Sequence, residues 1–116
     1  MKRGDVVMVD FPYSDGVQSK FRPAVVVQHD RYNTTWKKTV VVMVTGNTSR
    51  QNDPAHLLVN PATESGTGLK GPSLVSCLNL YTIDQKAIRR TIGQLSEPLL
   101  TRLDRCLIEA LGITRI

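Results

Sequence analysis

Apolar residues fall in short separated runs over the first eighty or so positions and then change to a helical spacing. Residues 4–10 alternate valine and methionine with other residues, 24–29 form a β-branched run, and 39–45 form another. Residues 56–60 give a shorter run, and 73–80 carry Leu74, Val75 and Leu78. Runs of this length, rich in β-branched residues and bounded by turn formers, predict strands. Between them lie turn-rich segments at 12–21, 46–54 and 61–72, the last holding Gly66, Gly68 and Gly71. Connections that long in a small domain are usually functional or disordered, so a binding surface is expected there. At the end, Ser96 is placed to cap a helix whose first turn holds Glu97 and Pro98. Leu100, Leu103, Leu107 and Leu111 then recur at helical spacing before Gly112, a stripe expected to face the core. A second short helix is expected to start at Thr82 or Asp84, with 89–95 returning as a strand. Strands first and a packing helix last predict a small, mostly antiparallel barrel under one covering helix.

Length changes this picture only by limiting it to one domain over residues 1–116. No apolar run approaches the roughly 20 residues of a membrane-spanning helix, so no membrane partner is expected. The first residues lead straight into a strand pattern without a signal-peptide core, which makes the cytoplasm the expected compartment. Cys77 and Cys106 have no second cysteine or histidine at ligand spacing and are expected to be reduced and buried. His29 and His56 are isolated in the sequence, so neither a metal nor any other cofactor is expected. Fifteen Lys and Arg against ten Asp and Glu give a net charge of +5, which favours a polyanionic or acidic partner. Scattered basic residues also suit a solvated surface, but Lys20, Arg22, Arg50 and Lys70 all fall in or beside predicted loops, where binding residues concentrate.

Arg22 is the most informative of these. Pro23 lacks a backbone donor and biases Arg22 toward an extended conformation, at the point where the first long loop meets the strand run from Ala24. A guanidinium fixed at a strand edge is a ready phosphate ligand, because its planar fork matches phosphate oxygens and stays charged.

Taken in order, Arg3-Gly4-Asp5-Val6-Val7, Asp10-Phe11-Pro12, Arg22-Pro23-Ala24-Val25-Val26-Val27 and Val42-Met43-Val44-Thr45 recur as a set with Gly68-Leu69, Ser73-Leu74-Val75 and Tyr81-Thr82-Ile83-Asp84-Gln85-Lys86. In this order and spacing the chain resembles the MazF/PemK family of toxin endoribonucleases. The resemblance implies an SH3-like barrel with an α-helical addition, usually a homodimer, and a type II toxin that cleaves single-stranded RNA without a metal. It matches Arg22 to the family's catalytic arginine and Thr45 to the threonine or serine ending the central strand. It also implies a cognate acidic, partly disordered MazE-like antitoxin tail that covers the basic surface and folds on binding.

The chemistry so implied is attack of the RNA 2′-hydroxyl on the neighbouring phosphate, leaving 2′,3′-cyclic phosphate and 5′-hydroxyl ends. Arg22 suits the charge growing on the phosphate but not the role of base, since its pKa lies above about 12. A Thr45 hydroxyl can donate to a phosphate oxygen, and Asn47, Thr48 and Ser49 can add contacts. Tyr13 and Phe21, in the first loop, are candidates to stack on bases, whereas Phe11 and Tyr81 are expected in the core and Trp36 over the barrel end. The chain departs from familiar members at Val17 and Phe21 in the first loop and at Ser76, Cys77, Leu78 and Asn79 on the strand after the glycine-rich loop. The general base is left open, with His29, Asp15 and Asp30 nearest by chain position. Two other functions fit the same charge and fold: a non-catalytic poison of DNA gyrase of the CcdB kind, and a basic RNA-binding barrel without catalysis.

Overall fold

The structure, a computed structural model, describes residues 1–12 and 19–114. Six strands, β1 (Asp5–Pro12), β2 (Ser19–Val26), β3 (Lys38–Thr45), β4 (His56–Val59), β5 (Ser73–Asp84) and β6 (Ile88–Gln94), form one antiparallel sheet in the order β4-β5-β3-β2-β1-β6. Adjacent valines explain why both faces of this sheet are buried. In Val6-Val7, Val25-Val26 and Val41-Val42 successive side chains point to opposite sides. Val6, Val25 and Val42 join Leu57, Val75 and the covering helix in one core, while Val7, Val26 and Val41 join Val9 and Ala24 in a second.

The helix α2 (Glu97–Leu111) begins and ends where its sequence punctuation predicts. Ser96 Oγ accepts from the Leu99 N–H at 3.4 Å, and Gly112 closes the helix at φ +68°. The expected apolar stripe faces the core at Leu100, Leu103 and Leu107, but the buried centre of the helix lies to one side of it. Leu99, Leu103 and Cys106 are the buried positions, and Leu111 is 57% exposed. Residues spaced by four and three lie one above another and face the sheet, so the stripe runs through Leu99 and leaves Leu111 beyond its end.

Two other expectations need correction. β2 starts at Ser19, so Arg22 and Pro23 lie inside a strand, paired with Val9 and Met8 on β1. Composition makes this arm read as loop, but its backbone pairs with β1 as far as Pro12. No helix starts at Thr82 or Asp84: β5 runs on to Asp84, with Tyr81, Thr82 and Ile83 opposite Val41, Val40 and Thr39, and only a 3₁₀ turn, Gln85–Ala87, follows. An additional helix, α1 (Asp30–Thr35), was hidden by its six-residue length. It is capped by His29, whose Nδ1 accepts from the Arg31 N–H at 2.9 Å. The sheet side of α1 is fixed by Asn33, which is buried and accepts from Thr39 Oγ1 at 2.7 Å and Gln28 Nε2 at 2.9 Å.

The glycine-rich connection 60–72 is packed, not free. A Cβ on Gly68, whose φ is +71°, would sit 2.0 Å from the Ile92 carbonyl oxygen of β6. The loop therefore covers one edge of the sheet and blunts it against pairing with another strand.

Candidate active site

The two leading candidates lie on neighbouring strands, Arg22 on β2 and Thr45 at the end of β3. Ala24, Val25 and Val26 of β2 pair with Met43, Val42 and Val41 of β3. Arg22 lies two residues beyond the Ala24–Met43 pair on β2, and Thr45 two residues beyond it on β3. Alternation puts them on one face, since Arg22 shares a side with Ala24 and Val26, and Thr45 with Met43 and Val41. The pairing stops at Ala24 because Pro23 has no N–H to extend it. Both side chains are half-buried at this point.

Thr45 opens onto a cleft of about 490 Å³ on the β5 side. Its Oγ1 accepts from the Asn47 N–H at 3.2 Å, which leaves the hydroxyl proton as its donor. Asn47 Oδ1 in turn accepts from the Ser49 N–H at 3.0 Å, so the segment after β3 is a pair of side-chain-capped turns. Asn47, Ser49 and Arg50 reach the cleft wall, whereas Thr48 is not among its lining residues.

The opposite wall comes from β4 and β5. Leu74 lies across from Thr45, and Ser76 across from both Met43 and His56, so these side chains share the Thr45 face. Beyond Ser76 the strand bulges: Met43 pairs with Ser76 but Val42 with Leu80, leaving Cys77, Leu78 and Asn79 without partners on β3. Bulges re-aim side chains, and here the exposed Asn79 turns back to donate through Nδ2 to Ser76 Oγ at 2.8 Å. Ser76 Oγ also lies 3.1 Å from His56 Nε2. The His56 ring is buried, and its Nδ1, which has no hydrogen-bond partner, is 3.5 Å from Asp53 Oδ1. The Ala55 N–H, bonded to Asp53 Oδ1 at 2.8 Å, holds that carboxyl below the usual carboxylate range, and His56 and then Arg50 add to the effect.

Other expected site residues lie elsewhere. Phe21 is exposed beneath the Arg89 guanidinium, 5.6 Å from its ring centroid, and Arg89 also meets Asp10 at 3.4 Å. Lys70 lines a separate groove with Pro23, Gly46, Leu69 and Arg90, on the other face of β2 from Arg22. Tyr13, Asp15 and Val17 lie outside the described residues, as does the side chain of Lys20. His29 and Asp30, considered as bases, are occupied by local structure: His29 caps α1, and Asp30 accepts from the Arg3 N–H at 2.7 Å, which lowers its pKa. Phe11 and Tyr81 pack edge to face at 5.4 Å, with Tyr81 45% exposed, and Trp36 is 51% exposed at the end of α1. Cys77 and Cys106 are free and buried. No described helix is long and apolar enough to cross a membrane.

His56, Ser76, Asn79 and Asp53 are the residues that sequence reasoning missed. Asp53-x-x-His56 spans a turn into a strand, and the alternation of 73–76 puts Leu74 and Ser76 on one side. Nothing in the sequence, however, gives the register that sets Ser76 against His56.

Fold and cleft together define a small antiparallel sheet protein, helix-covered, that presents an arginine and a threonine on one polar face. Residues 2–111 match the PemK-like, MazF-like toxins of type II toxin–antitoxin systems, and the chain belongs to that family. Among solved structures it is similar to an endoribonuclease in complex with its cognate antitoxin from a mycobacterial species, at TM-score 0.79 and 20% identity over 100% of this chain and 99% of that one. It is similar also to Mycobacterium tuberculosis toxin MazF-mt6, at TM-score 0.76 and 21% identity over 96% and 99%. A MazE–MazF structure from Deinococcus radiodurans matches at TM-score 0.77 and 20% identity over 98% of each chain. At these identities the likeness is one of fold.

Proposed function

We propose that this toxin is a metal-independent endoribonuclease of single-stranded RNA, with Arg22 and Thr45 acting on the scissile phosphate. The observation that carries this reading is that alternation turns Arg22 and Thr45 to the same face of neighbouring strands, with Thr45 lining the polar cleft. A fixed guanidinium and a hydroxyl donor neutralise and orient a phosphate, while the 2′-hydroxyl supplies the nucleophile from within the substrate. Asn47, Ser49 and Arg50 then contact the neighbouring nucleotides, and Thr48, Phe21, Lys70, Tyr13 and Lys20 extend the RNA path. The implied products carry 2′,3′-cyclic phosphate and 5′-hydroxyl ends.

The protein acts in the cytoplasm as a homodimer and is silenced by an acidic antitoxin, whose charge complements the +5 of this chain. The solved relatives held with antitoxins, from a mycobacterial species and from D. radiodurans, support this part of the reading.

The test is incubation with a long single-stranded RNA in excess EDTA, beside Arg22→Ala and Thr45→Ala, with product ends mapped. Cleavage by the wild type alone, leaving cyclic phosphate ends, is the expected result. Intact RNA across a broad sequence set overturns the proposal, and inhibition of DNA supercoiling in the same preparation would replace it with gyrase poisoning.

A further inference from the structure

The Arg22–Thr45 pair leaves the proton of the attacking hydroxyl without a destination. We propose that Ser76, His56 and Asp53 form a proton relay that removes it, with His56 Nε2 as the final acceptor. This rests on the ribonuclease reading above.

The relay runs through the hydrogen bonds around Ser76. Asn79 Nδ2 donates to Ser76 Oγ at 2.8 Å, and with His56 in its Nδ1–H tautomer the serine proton donates to Nε2, 3.1 Å away. An Nε2 that accepts requires the proton on Nδ1, and Nδ1 faces Asp53 Oδ1 at 3.5 Å. That nitrogen is buried without a hydrogen-bond partner, an arrangement that costs stability in a purely structural histidine. It becomes favourable when the ring is charged, because the ionised Asp53 carboxylate then faces an imidazolium. His56, 9% exposed, and Ser76, 2% exposed, both line the cleft with Thr45, and Ser76 Oγ is the polar atom shared by His56 Nε2 and Asn79 Nδ2.

The surroundings contain few competing charges. Asp53 and Arg50 stand on the turn before β4, β3 and β5 contribute uncharged side chains to this face, and α2 packs on the opposite side of β4 against Leu57 and Val59.

In the reaction the 2′-O–H bond breaks and its proton passes to Ser76 Oγ as the serine proton passes to His56 Nε2. The freed electron pair forms the bond from the 2′-oxygen to phosphorus. The bond from phosphorus to the 5′-oxygen breaks with its electrons going to that oxygen, which takes a proton from water. The resulting hydroxide removes the proton from the imidazolium, and the relay is restored.

The experiment is single-turnover cleavage of RNA in EDTA from about pH 5 to 9 by full-length wild type, His56→Gln, Ser76→Ala and Arg22→Ala. Glutamine can keep a hydrogen bond to Ser76 but cannot titrate. The wild type is expected to lose activity on an acid limb whose midpoint matches the His56 ring followed by NMR, with His29→Gln used to assign the resonances. His56→Gln should lower the plateau rate about 10²- to 10⁴-fold and abolish that limb. Ser76→Ala should lower the rate similarly while His56 still titrates. Both variants should bind a 2′-O-methyl copy of the RNA within about twofold of wild type, a general base acting after binding. Cleavage by His56→Gln with the limb intact overturns the relay and leaves the ribonuclease standing. If His56→Gln does not fold, an unimpaired Ser76→Ala, or a wild-type His56 that does not titrate with the limb, overturns it equally. A wild type that cleaves nothing removes both.

Discussion

Gly93 and Gly66 touch backbone to backbone: a Cβ on Gly93 would lie 2.4 Å from the Gly66 carbonyl oxygen and as close to Thr67. The contact ties the 60–72 connection to β6, and with it the start of β5, whose Leu74 and Ser76 form a wall of the cleft. Gly93→Ala is accordingly expected to cost about 3 kcal/mol in urea unfolding, since backbone cannot move aside as a side chain can. Gly46, beside Thr45, has open space around it, and Gly46→Ala should change stability by less than about 0.5 kcal/mol. Equal effects at the two glycines would contradict this packing.

Asn33 gives a second measurable constraint. Thr39 is fully buried, and its hydroxyl donates to Asn33 Oδ1, while Asn33 Nδ2 donates to the Gln28 carbonyl at 3.0 Å. Asn33→Ala strands those groups and should destabilise by about 2 to 3 kcal/mol. Thr39→Val, which removes the hydroxyl as well, should recover part of that loss in the double variant. Strictly additive losses would deny the bond any role.

The elements legible in the sequence are those whose local chemistry and tertiary setting agree. Ser96 and Gly112 bracket α2 because cap residues act within one turn, and the valine runs mark β1, β2 and β3 because both faces of the sheet are buried. Arg22 and Thr45 could be singled out by residue type and family resemblance. Their place on one face of neighbouring strands could not, for it depends on the β2–β3 pairing, a nonlocal quantity. The same limit hid His56 and Ser76, separated by the whole 60–72 connection. The β5 bulge that aims Asn79 at Ser76 leaves no trace in alternation, since Cys77, Leu78 and Asn79 read as ordinary strand. Glycine density at 61–72 suggested a binding loop, whereas Gly68 is there for close approach to Ile92.

Cys77 yields a pH prediction with a defined sign. Burial is the main cause that pushes its thiol up from 9.0 to about 12, and it raises neighbouring Cys106 in the same direction. The folded chain keeps these thiols neutral where the unfolded chain ionises them. Stability from this source is thus complete below about pH 9 and is lost as pH rises toward 12. Cys77→Ala should lower stability at neutral pH through the vacated space, yet lose less on going from pH 8 to pH 10.5 than wild type does. Parallel curves would show that Cys77 does not titrate differently in the two states. Neither thiol should react with iodoacetamide until the chain unfolds.

Arg50 and Lys70 separate the two faces by their response to salt. Arg50 lines the cleft that Thr45 opens onto, whereas Lys70 lines the groove beyond Pro23 and Gly46. Each phosphate contact on a single strand releases about 0.7 of a counterion, so removing one changes the slope of log affinity against log salt by about that amount. With a short 2′-O-methyl RNA spanning only the cleaved step, Arg50→Gln is expected to reduce the slope by about 0.7 and weaken binding across sequences, while Lys70→Gln leaves both unchanged. With a longer RNA, Lys70→Gln should begin to matter, because the chain must then pass the edge where Pro23 ends the β2–β3 pairing. If Lys70 dominates on the short RNA and Arg50 is silent, the strand lies in the groove beyond Pro23, and Arg22 approaches it from the wrong side of β2.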